Sequence, residues 1–337
     1  MYPDELVRTA GEELPSPRVP KKKKVSVQER KEHLIAFLFI LPPIVGFLIF
    51  TALSVVFTFV YSFQGYNSLS GISENVGFAN YIDLFTHVTR APLFGKAIVN
   101  TIVLLLSVPF SMILGLILAG LLRLGEIKGS KFFQVLYYVP AVSSAVALNI
   151  VWNYIFRSNG VFNTLLGLDV IWLDGDVTIK VAIIFKNSLN AMGGAMILYL
   201  AGMLNVPRDL YEASSLDGAG KVRQFFSITL PLLSPIILFN LVMQIINGFM
   251  VFTQAQIITD GGPVNETLVY VLYLYRQSFK YYEMGYGSAM AWILLVIVGC
   301  FTALVFKSSN QWVFYENNAR QDEPNKKKKG KKGAGQA

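Results

Sequence analysis

Amide side chains recur along one long apolar stretch of the sequence, at spacings that place them on a single helical face. Within residues 232–258 these amides are Asn240, Gln244, Asn247 and Gln254. Their intervals of 4, 3 and 7 residues match the repeat of an α-helix. Because a carboxamide offers both a donor and an acceptor to a hydroxyl group, this face suits a neutral polyol.

Two earlier apolar stretches carry polar side chains beside small residues. Asn187 and Asn190 lie three residues apart in one, and Asn149 and Trp152 lie three apart in the other. Polar groups inside a membrane are costly unless they face the interior of a helix bundle. We therefore predict a polar pathway lined by Ser144, Asn149, Trp152, Asn187, Asn190, Gln244, Asn247, Val251 and Phe252. The alternative for any one of these amides is a hydrogen bond between two helices.

The composition is that of an integral membrane protein. Hydrophobic residues make up 53% of the chain and charged residues only 15%, whereas about a quarter of residues are charged in soluble domains. As helices, the long apolar stretches would cross a hydrocarbon core of about 30 Å. The sequence predicts an all-α fold with six transmembrane helices, at residues 34–61, 98–122, 132–156, 179–204, 232–258 and 288–307. Pro42 and Pro43 are expected to kink or interrupt the first helix.

Six spans place both tails on one side of the membrane, and lysine and arginine decide which side. Most of the 29 lysines and arginines fall in the tails or in residues 123–131 and 205–230 if these are cytoplasmic. We therefore predict cytoplasmic tails at residues 1–33 and 308–337 around a membrane domain at 34–307. The net charge of +8 arises largely from lysine runs in the tails, which suit anionic lipid rather than nucleic acid.

Few residues suit catalysis or metal binding. The single Cys300 lies within a predicted span, and His33 and His87 lie far apart in the sequence. A membrane enzyme would need carboxylate or histidine pairs near the membrane, and an ion-coupled transporter would need buried carboxylates. The acidic residues fall in tails or loops instead. We predict no catalytic residue and no metal site, and an ion-coupled transporter is the less favoured alternative.

A polar stretch at residues 205–231 separates the fourth and fifth predicted spans. Residues 208–216 contain no glycine or proline that would break a helix, and Pro207 suits the position before them. Gly218 supplies the left-handed backbone that a helix C-cap prefers. A second short helix is expected at residues 221–231. With both tails inside, the whole stretch is cytoplasmic.

The residues of this stretch form a long motif. It reads Glu212-Ala213-Ser214, then Gly218, then Ile228-Thr229-Leu230-Pro231. This pattern resembles the EAA signature of the membrane subunits of ABC importers, although Ser214 stands where that family usually has alanine. The turn at Thr259–Pro263, with the sequence TDGGP, resembles the T-x-G-G-P turn of the carbohydrate, or maltose-type, branch of that family.

The resemblance implies the type I ABC importer permease fold in a bacterial cell membrane, with a cytoplasmic coupling helix. The implied ATPase-coupling residues are Glu212, Ala213, Ser214, Asp217, Gly218, Ala219, Ile228, Leu230 and Pro231. The chain has no Walker motif, so ATP and Mg²⁺ would bind to a partner and no cofactor to this chain. The implied partners are a second related permease, two ATP-binding subunits, an extracytoplasmic solute-binding protein and a carbohydrate.

The resemblance also implies where substrate binds and what it is. The family's substrate positions fall at Ala141, Ala145, Asn190, Ala191, Gly194, Asn247, Gly248 and Val251. The expected cargo is a sugar or oligosaccharide, and the alternative is an acidic sugar or polyol phosphate. Lys186 would favour the acidic cargo if it faced the pathway. Because Lys186 lies about 10 Å from the outer end of its predicted helix, we instead expect its side chain to snorkel to the membrane interface.

Overall fold

The computed structural model describes residues 27–124 and 128–314. The lysine runs of both predicted tails lie outside these residues. The described residues divide into two compact units, one up to residue 57 and one from residue 58 onward. In the described part of the chain the regular elements are helices.

The described residues of the first unit belong to one long helix, whose residues 58–62 are counted with the second unit. Helix α1 spans Val27–Gly46 and continues through a π-helical turn at Phe47–Ala52 into α2, Leu53–Ser62. The helix is not interrupted at Pro42 and Pro43, so the expected break is absent there. The large apolar side chains of residues 34–57 are exposed. An apolar surface of this length indicates contact with lipid or with another chain.

The second unit is a helical bundle. Its helices are α3 Ala79–Thr86, α4 Arg90–Leu104, α5 Ser107–Leu124, α6 Ser130–Val142, α7 Ala145–Ile155, α8 Val161–Leu166, α9 Asp176–Leu204, α10 Arg208–Leu216, α11 Lys221–Gln224, α12 Leu230–Phe249, α13 Thr253–Ile258, α14 Tyr270–Tyr275 and α15 Met284–Trp312. Further π-helical turns occupy Phe225–Thr229 and Arg276–Lys280. Five of the described helices are long and apolar enough to cross a membrane, and α6 with α7 makes a sixth if counted as one broken span.

Two apolar clusters form the core of the second unit. One surrounds Phe94, Ile179, Tyr270 and Met290, and the other surrounds Tyr199 at the opposite end of α9. Burial of this apolar surface is the main stabilising contribution of each cluster.

Helix α9 is the central element of the second unit, and glycines let other helices approach it closely. A Cβ atom at Gly115 of α5 would lie 2.7 Å from Cβ of Ala195, which is too close for two carbon atoms. A Cβ atom at Gly193 of α9 would overlap the Tyr137 carbonyl of α6. Small residues at such contacts are typical of helices packed within membranes. Helix α9 therefore packs closely against α5 and α6. All three helices line the cavity described below.

The third predicted span, residues 132–156, is not one straight helix. Helices α6 and α7 are bent by 100° at Ser143 and Ser144, where the backbone is extended. Pro140 lies in the last turn of α6, where its ring and missing N–H weaken the helix. The prediction of a continuous span is therefore wrong at this point.

The fifth predicted span, residues 232–258, is also interrupted. Helix α12 ends at Phe249, and residues 250–252 are non-helical before α13 begins. The spacing predicted that Gln254 shares a helical face with Asn240. This prediction is wrong, because the two residues lie on different helices. Irregular backbone at membrane depth is tolerated where it lines a cavity, and residues 250–252 do so.

The second short helix of the 205–231 stretch was expected to end at Pro231, but it does not end there. Helix α11 continues through the π-helical turn at Phe225–Thr229 into α12. A proline ring displaces the carbonyl four residues before it, which here belongs to Ser227. The wider π-helical turn contains that residue and accommodates the displacement without ending the helix.

Candidate functional site

A polar cavity of about 810 Å³ lies within the second unit, between α5, the α6–α7 break, α9 and the α12–α13 break. It is open at its mouth rather than enclosed. Both irregular segments of the bundle, Ser143 and residues 250–252, contribute to its wall. The breaks in the third and fifth spans thus contribute to the wall of the cavity, together with α5 and α9.

Most of the predicted pathway residues line this cavity. Those that do are Asn149, Asn187, Asn190, Gln244, Asn247, Val251 and Phe252. Ser144 does not: it is exposed beside the start of α7, where its carbonyl accepts from the Leu148 N–H at 3.0 Å. Trp152 does not line it either, but its Nε1 donates to Asn190 Oδ1 at 3.2 Å. Trp152 therefore positions an amide of the wall.

The positions that the family resemblance assigns to substrate also converge. The residues Ala141, Ala145, Asn190, Ala191, Gly194, Asn247, Gly248 and Val251 all line the same cavity. They come from α6, α7, α9, the end of α12 and, for Val251, the non-helical residues that follow α12. Several are alanine or glycine, which leaves the cavity wide.

Some amides of the fifth span are already hydrogen-bonded within the protein. The Ser111 hydroxyl donates to Gln244 Oε1 at 2.6 Å, and Gln244 Nε2 donates to Asn240 Oδ1 at 3.1 Å. Asn240 Nδ2 in turn donates to the Tyr199 hydroxyl at 2.8 Å. This chain of bonds joins α5, α12 and α9. Asn240 is buried and does not line the cavity, so its role is to hold helices together.

Other amides keep their hydrogen-bonding capacity. Asn149, Asn187 and Asn247 line the cavity, and their side chains have no hydrogen-bond partner among the described residues. Each can donate two hydrogen bonds and accept two. These three amides are the ones available to hydroxyl groups.

Lys186 was expected to snorkel to the membrane interface, and this expectation is wrong. Its side chain is only 3% exposed and lines the cavity. Its Nζ donates to Gln254 Oε1 at 2.9 Å. The sequence contained a hint of this position: Lys186 directly precedes Asn187, which was predicted to line the pathway. Gln254 was predicted to share a helical face with other amides of the pathway. The hint was missed because the break before α13 turns Gln254 toward α9.

The segment at residues 205–231 forms a helical pair. Helix α10 spans Arg208–Leu216 as predicted, and Gly218 has the predicted left-handed backbone at φ 78°. Gln224 is buried, and its Nε2 donates to the Tyr211 carbonyl at 3.2 Å and to Ser215 Oγ at 2.8 Å. The Tyr211 hydroxyl also lies 2.8 Å from Thr229 Oγ1. These bonds fix α10 to the beginning of the long helix that continues into α12.

The predicted coupling residues are distributed between an outer and an inner face of this pair. Glu212, Ala213, Asp217 and Gly218 are exposed. Ser214, Ala219, Ile228, Leu230 and Pro231 are half-buried. Leu216 and Val222 are strongly exposed beside the outer face, at 90% and 71%. An exposed face that combines a carboxylate with apolar side chains is suited to protein contact.

The opposite end of the bundle is held by an ion-pair cluster. Glu266 accepts from Lys180 and from Lys96, with N–O distances of 2.6 Å each. The hydrogen bonds from these two lysines, that of Lys180 first, lower the pKa of the Glu266 carboxyl. In the predicted TDGGP turn Arg276 donates to the Asp260 side chain at 3.0 Å. The part of the chain that the structure describes holds no group of three or more His, Cys, Asp or Glu suited to a metal ion.

The described chain is a helical bundle with several helices long and apolar enough to cross a membrane, and it contains a cavity lined in part by amide side chains. Residues 33–309 match the family described as binding-protein-dependent transport system inner membrane component. The chain belongs to this family. The predicted resemblance to the membrane subunits of ABC importers is thereby confirmed. The protein is a multi-pass membrane permease.

Individual proteins agree with this membership. The chain is 40% identical over 302 residues to the probable ABC transporter permease protein YesP of Bacillus subtilis, covering 87% of this chain and 96% of that one. It is 30% identical over 291 residues to the arabinooligosaccharides transport system permease protein AraP of the same species, covering 82% and 88%. A chain of a bacterial ABC transporter that imports the acidic polysaccharide alginate matches with a TM-score of 0.72 at 24% identity, covering 84% and 98%. The predicted all-α importer permease fold is confirmed.

Proposed function

We propose that this chain is the transmembrane subunit of an ATP-driven ABC importer for a sugar or oligosaccharide. The observation that carries the proposal is the convergence of the eight family substrate positions on one cavity of about 810 Å³. A cavity of this volume is of the size that small-molecule sites have, about 300–1,000 Å³. The names of relatives such as the arabinooligosaccharide permease support a carbohydrate cargo.

The free amides of the cavity suit hydroxyl groups. Asn149, Asn187 and Asn247 bind hydroxyls as donors and acceptors, and Phe252 offers a ring to the apolar face of a sugar. An extracytoplasmic solute-binding protein delivers the cargo, as the family description implies. A second related permease completes the translocation pathway.

Coupling to ATP uses α10. Two ATP-binding subunits close around ATP and Mg²⁺, and the exposed face with Glu212 and Ala213 docks on one of them. Gln224 and Thr229 transmit the movement because they fix α10 to the helix that carries Gln244 and Asn247. Thr229 to Gln244 spans about 22 Å at 1.5 Å per residue. Closure of the ATPases therefore moves one wall of the cavity, and the bundle alternates between inward and outward openings.

The orientation follows from the same arrangement. Helix α10 must lie in the cytoplasm to reach the ATPases, so both termini are cytoplasmic and the chain resides in the bacterial cell membrane. The loop with Glu266 then faces outward. The lysine runs of the tails contact anionic lipid.

Purification from the native membrane under mild detergent tests the proposal. The wild-type chain should retain an ATPase with a Walker motif and a second permease. Glu212→Ala should weaken recovery of the ATPase but not of the second permease. Glu74→Ala is the matched control, because Glu74 is an exposed carboxylate in a loop at the other end of the bundle. Recovery of the chain alone, with Glu212→Ala equal to wild type, would overturn the coupling role.

A further inference from the structure

One buried ammonium group faces the cavity without a negative charge to balance it. Lys186 is 3% exposed, and it is the one charged side chain among the described residues that line the cavity. It forms no ion pair in the described ranges of the chain. A buried, unpaired charge within a membrane protein is costly and marks a functional site by default. No anion that would balance this charge lies among these residues.

The partner of Lys186 sharpens this conclusion. An ammonium group only donates hydrogen bonds, so Gln254 must turn its Oε1 toward Lys186 Nζ, as the distance of 2.9 Å reflects. Gln254 is 8% exposed, and its Nε2 has no hydrogen-bond partner among the described residues. Lys186 keeps two N–H donors that Gln254 does not use. Together the two side chains offer four unused N–H donors, two on Lys186 and two on Gln254, whereas Gln254 Oε1 keeps only one of its two lone pairs.

A site of this kind discriminates between hydroxyl groups and anions. A hydroxyl both donates and accepts, and the free amides at Asn149, Asn187 and Asn247 serve it equally well. An oxyanion accepts only, and hydrogen bonds to it from a charged donor are roughly twice as strong as neutral ones. The cavity thus contains two kinds of surface: free amides for hydroxyls, and one donor pair for an anion.

The single positive charge balances one negative charge. Extending the proposed importer function, on which this inference rests, we propose that Lys186 and Gln254 form a subsite for a monoanionic group on the transported saccharide. The group is a uronate carboxylate or a sulfate ester. The neighbouring free amides hold the hydroxyls of the same sugar.

Uptake by the complete transporter in proteoliposomes tests this subsite. The complex is reconstituted with its co-purified permease, ATPases and binding protein. The probes are labelled oligogalacturonates, alginate oligosaccharides, glucuronate-containing oligosaccharides and sulfated galacto-oligosaccharides. The neutral set comprises the same uronates with their carboxylates reduced to alcohols, the unsulfated galacto-oligosaccharides, and arabino- and malto-oligosaccharides.

Four variants separate charge from structure. With the anionic cargo, Lys186→Gln should lower uptake at least tenfold, and Lys186→Arg should retain most of it. Gln254→Glu has nearly the same shape and supplies an internal partner for Lys186, so it should also lower uptake at least tenfold while the complex still assembles. Lys180→Gln is the matched control: it removes a lysine from the same helix outside the cavity, and should affect anionic and neutral cargo equally.

Two results would overturn the inference while leaving the importer intact. One is ATP-dependent uptake of an anionic oligosaccharide that Lys186→Gln leaves unchanged, or uptake of neutral oligosaccharides only. The other is loss of complex assembly in Lys186→Gln together with equal losses for neutral and anionic cargo, which would identify a carboxylate of the second permease as the partner of Lys186. Absence of ATP-dependent uptake for every probe would overturn the proposed importer function itself, and the subsite with it.

Discussion

Gln224 is the residue that we expect to control how firmly α10 is held. It is buried, and it donates to the Tyr211 carbonyl at 3.2 Å and to Ser215 Oγ at 2.8 Å. A net contribution of about 0.5–1.5 kcal/mol for each bond gives about 1–3 kcal/mol for the pair. A nine-residue helix is too short to be stable by itself. Gln224→Ala should therefore loosen α10 without unfolding the bundle.

Hydrogen exchange measures this loosening directly. In the isolated subunit in lipid nanodiscs, the α10 amides of Gln224→Ala should exchange about 5- to 150-fold faster than those of wild type, as 1–3 kcal/mol implies. Exchange in α9 and α15 should not change. Arg223→Ala is the control, because Arg223 is the exposed neighbour of Gln224. Equal α10 exchange in wild type and Gln224→Ala would refute the reasoning that these bonds hold the helix.

Three further predictions follow from the bundle and its cavity. Asn240→Ala should destabilise the protein by about 1–3 kcal/mol because it breaks a buried hydrogen-bond chain. Asn247→Ala should leave the thermal midpoint unchanged and raise KM for uptake. Equal thermal midpoints for the two variants would contradict the assignment of Asn240 to structure and Asn247 to cargo. Wild type should lose thermal stability as pH falls below 4.5, because the two lysines that lower the pKa of Glu266 stabilise the fold only while its carboxylate is charged. In Glu266→Gln this loss should be smaller. Identical pH profiles for the two proteins would contradict the prediction. Gly193→Ala should destabilise by about 1–3 kcal/mol through overlap with the neighbouring backbone, whereas Gly194→Ala, with no neighbouring atom within 4 Å of its Cβ, should not; calorimetry compares the two.

Local sequence rules predicted the elements that local interactions determine. The bounds of α10 followed from the absence of glycine and proline between residues 208 and 216, and the left-handed Gly218 followed from C-cap preference. The long apolar spans were evident from composition. Their ends differ from prediction by several residues, because polar or glycine residues in a first helical turn, such as Asp176 and Gly285, carry little apolar signal.

The breaks in the third and fifth spans could not be predicted from hydropathy. Residues 143–144 and 250–252 lie within apolar runs, and their non-helical backbone is tolerated beside a cavity that α5 and α9 also line. The periodicity argument assumed one continuous helix from residue 232 to 258. It therefore placed Gln254 on the same helix as Gln244 and Asn247. Gln254 lies on α13 instead, but it still lines the same cavity.

Lys186 shows the same limitation for a single side chain. Its distance from the helix end predicted snorkelling, which requires that it face lipid. Which face of α9 meets lipid depends on how α5, α6 and α12 pack around it. The glycines that set this packing, Gly115 and Gly193, are visible in the sequence, but the helices that they meet are not.

The most direct test of the account is whether cargo passes through this cavity. Gly194 lines the cavity, and no neighbouring atom lies within 4 Å of a Cβ built there, so Gly194→Trp places a large ring in the open space. Proteoliposomes with the wild-type complex should accumulate the oligosaccharide carried by the co-purified binding protein only when ATP is present. Gly194→Trp should assemble in wild-type yield and accumulate at least tenfold less. Wild-type uptake by an assembled Gly194→Trp complex would contradict the central claim that the cavity is the translocation site.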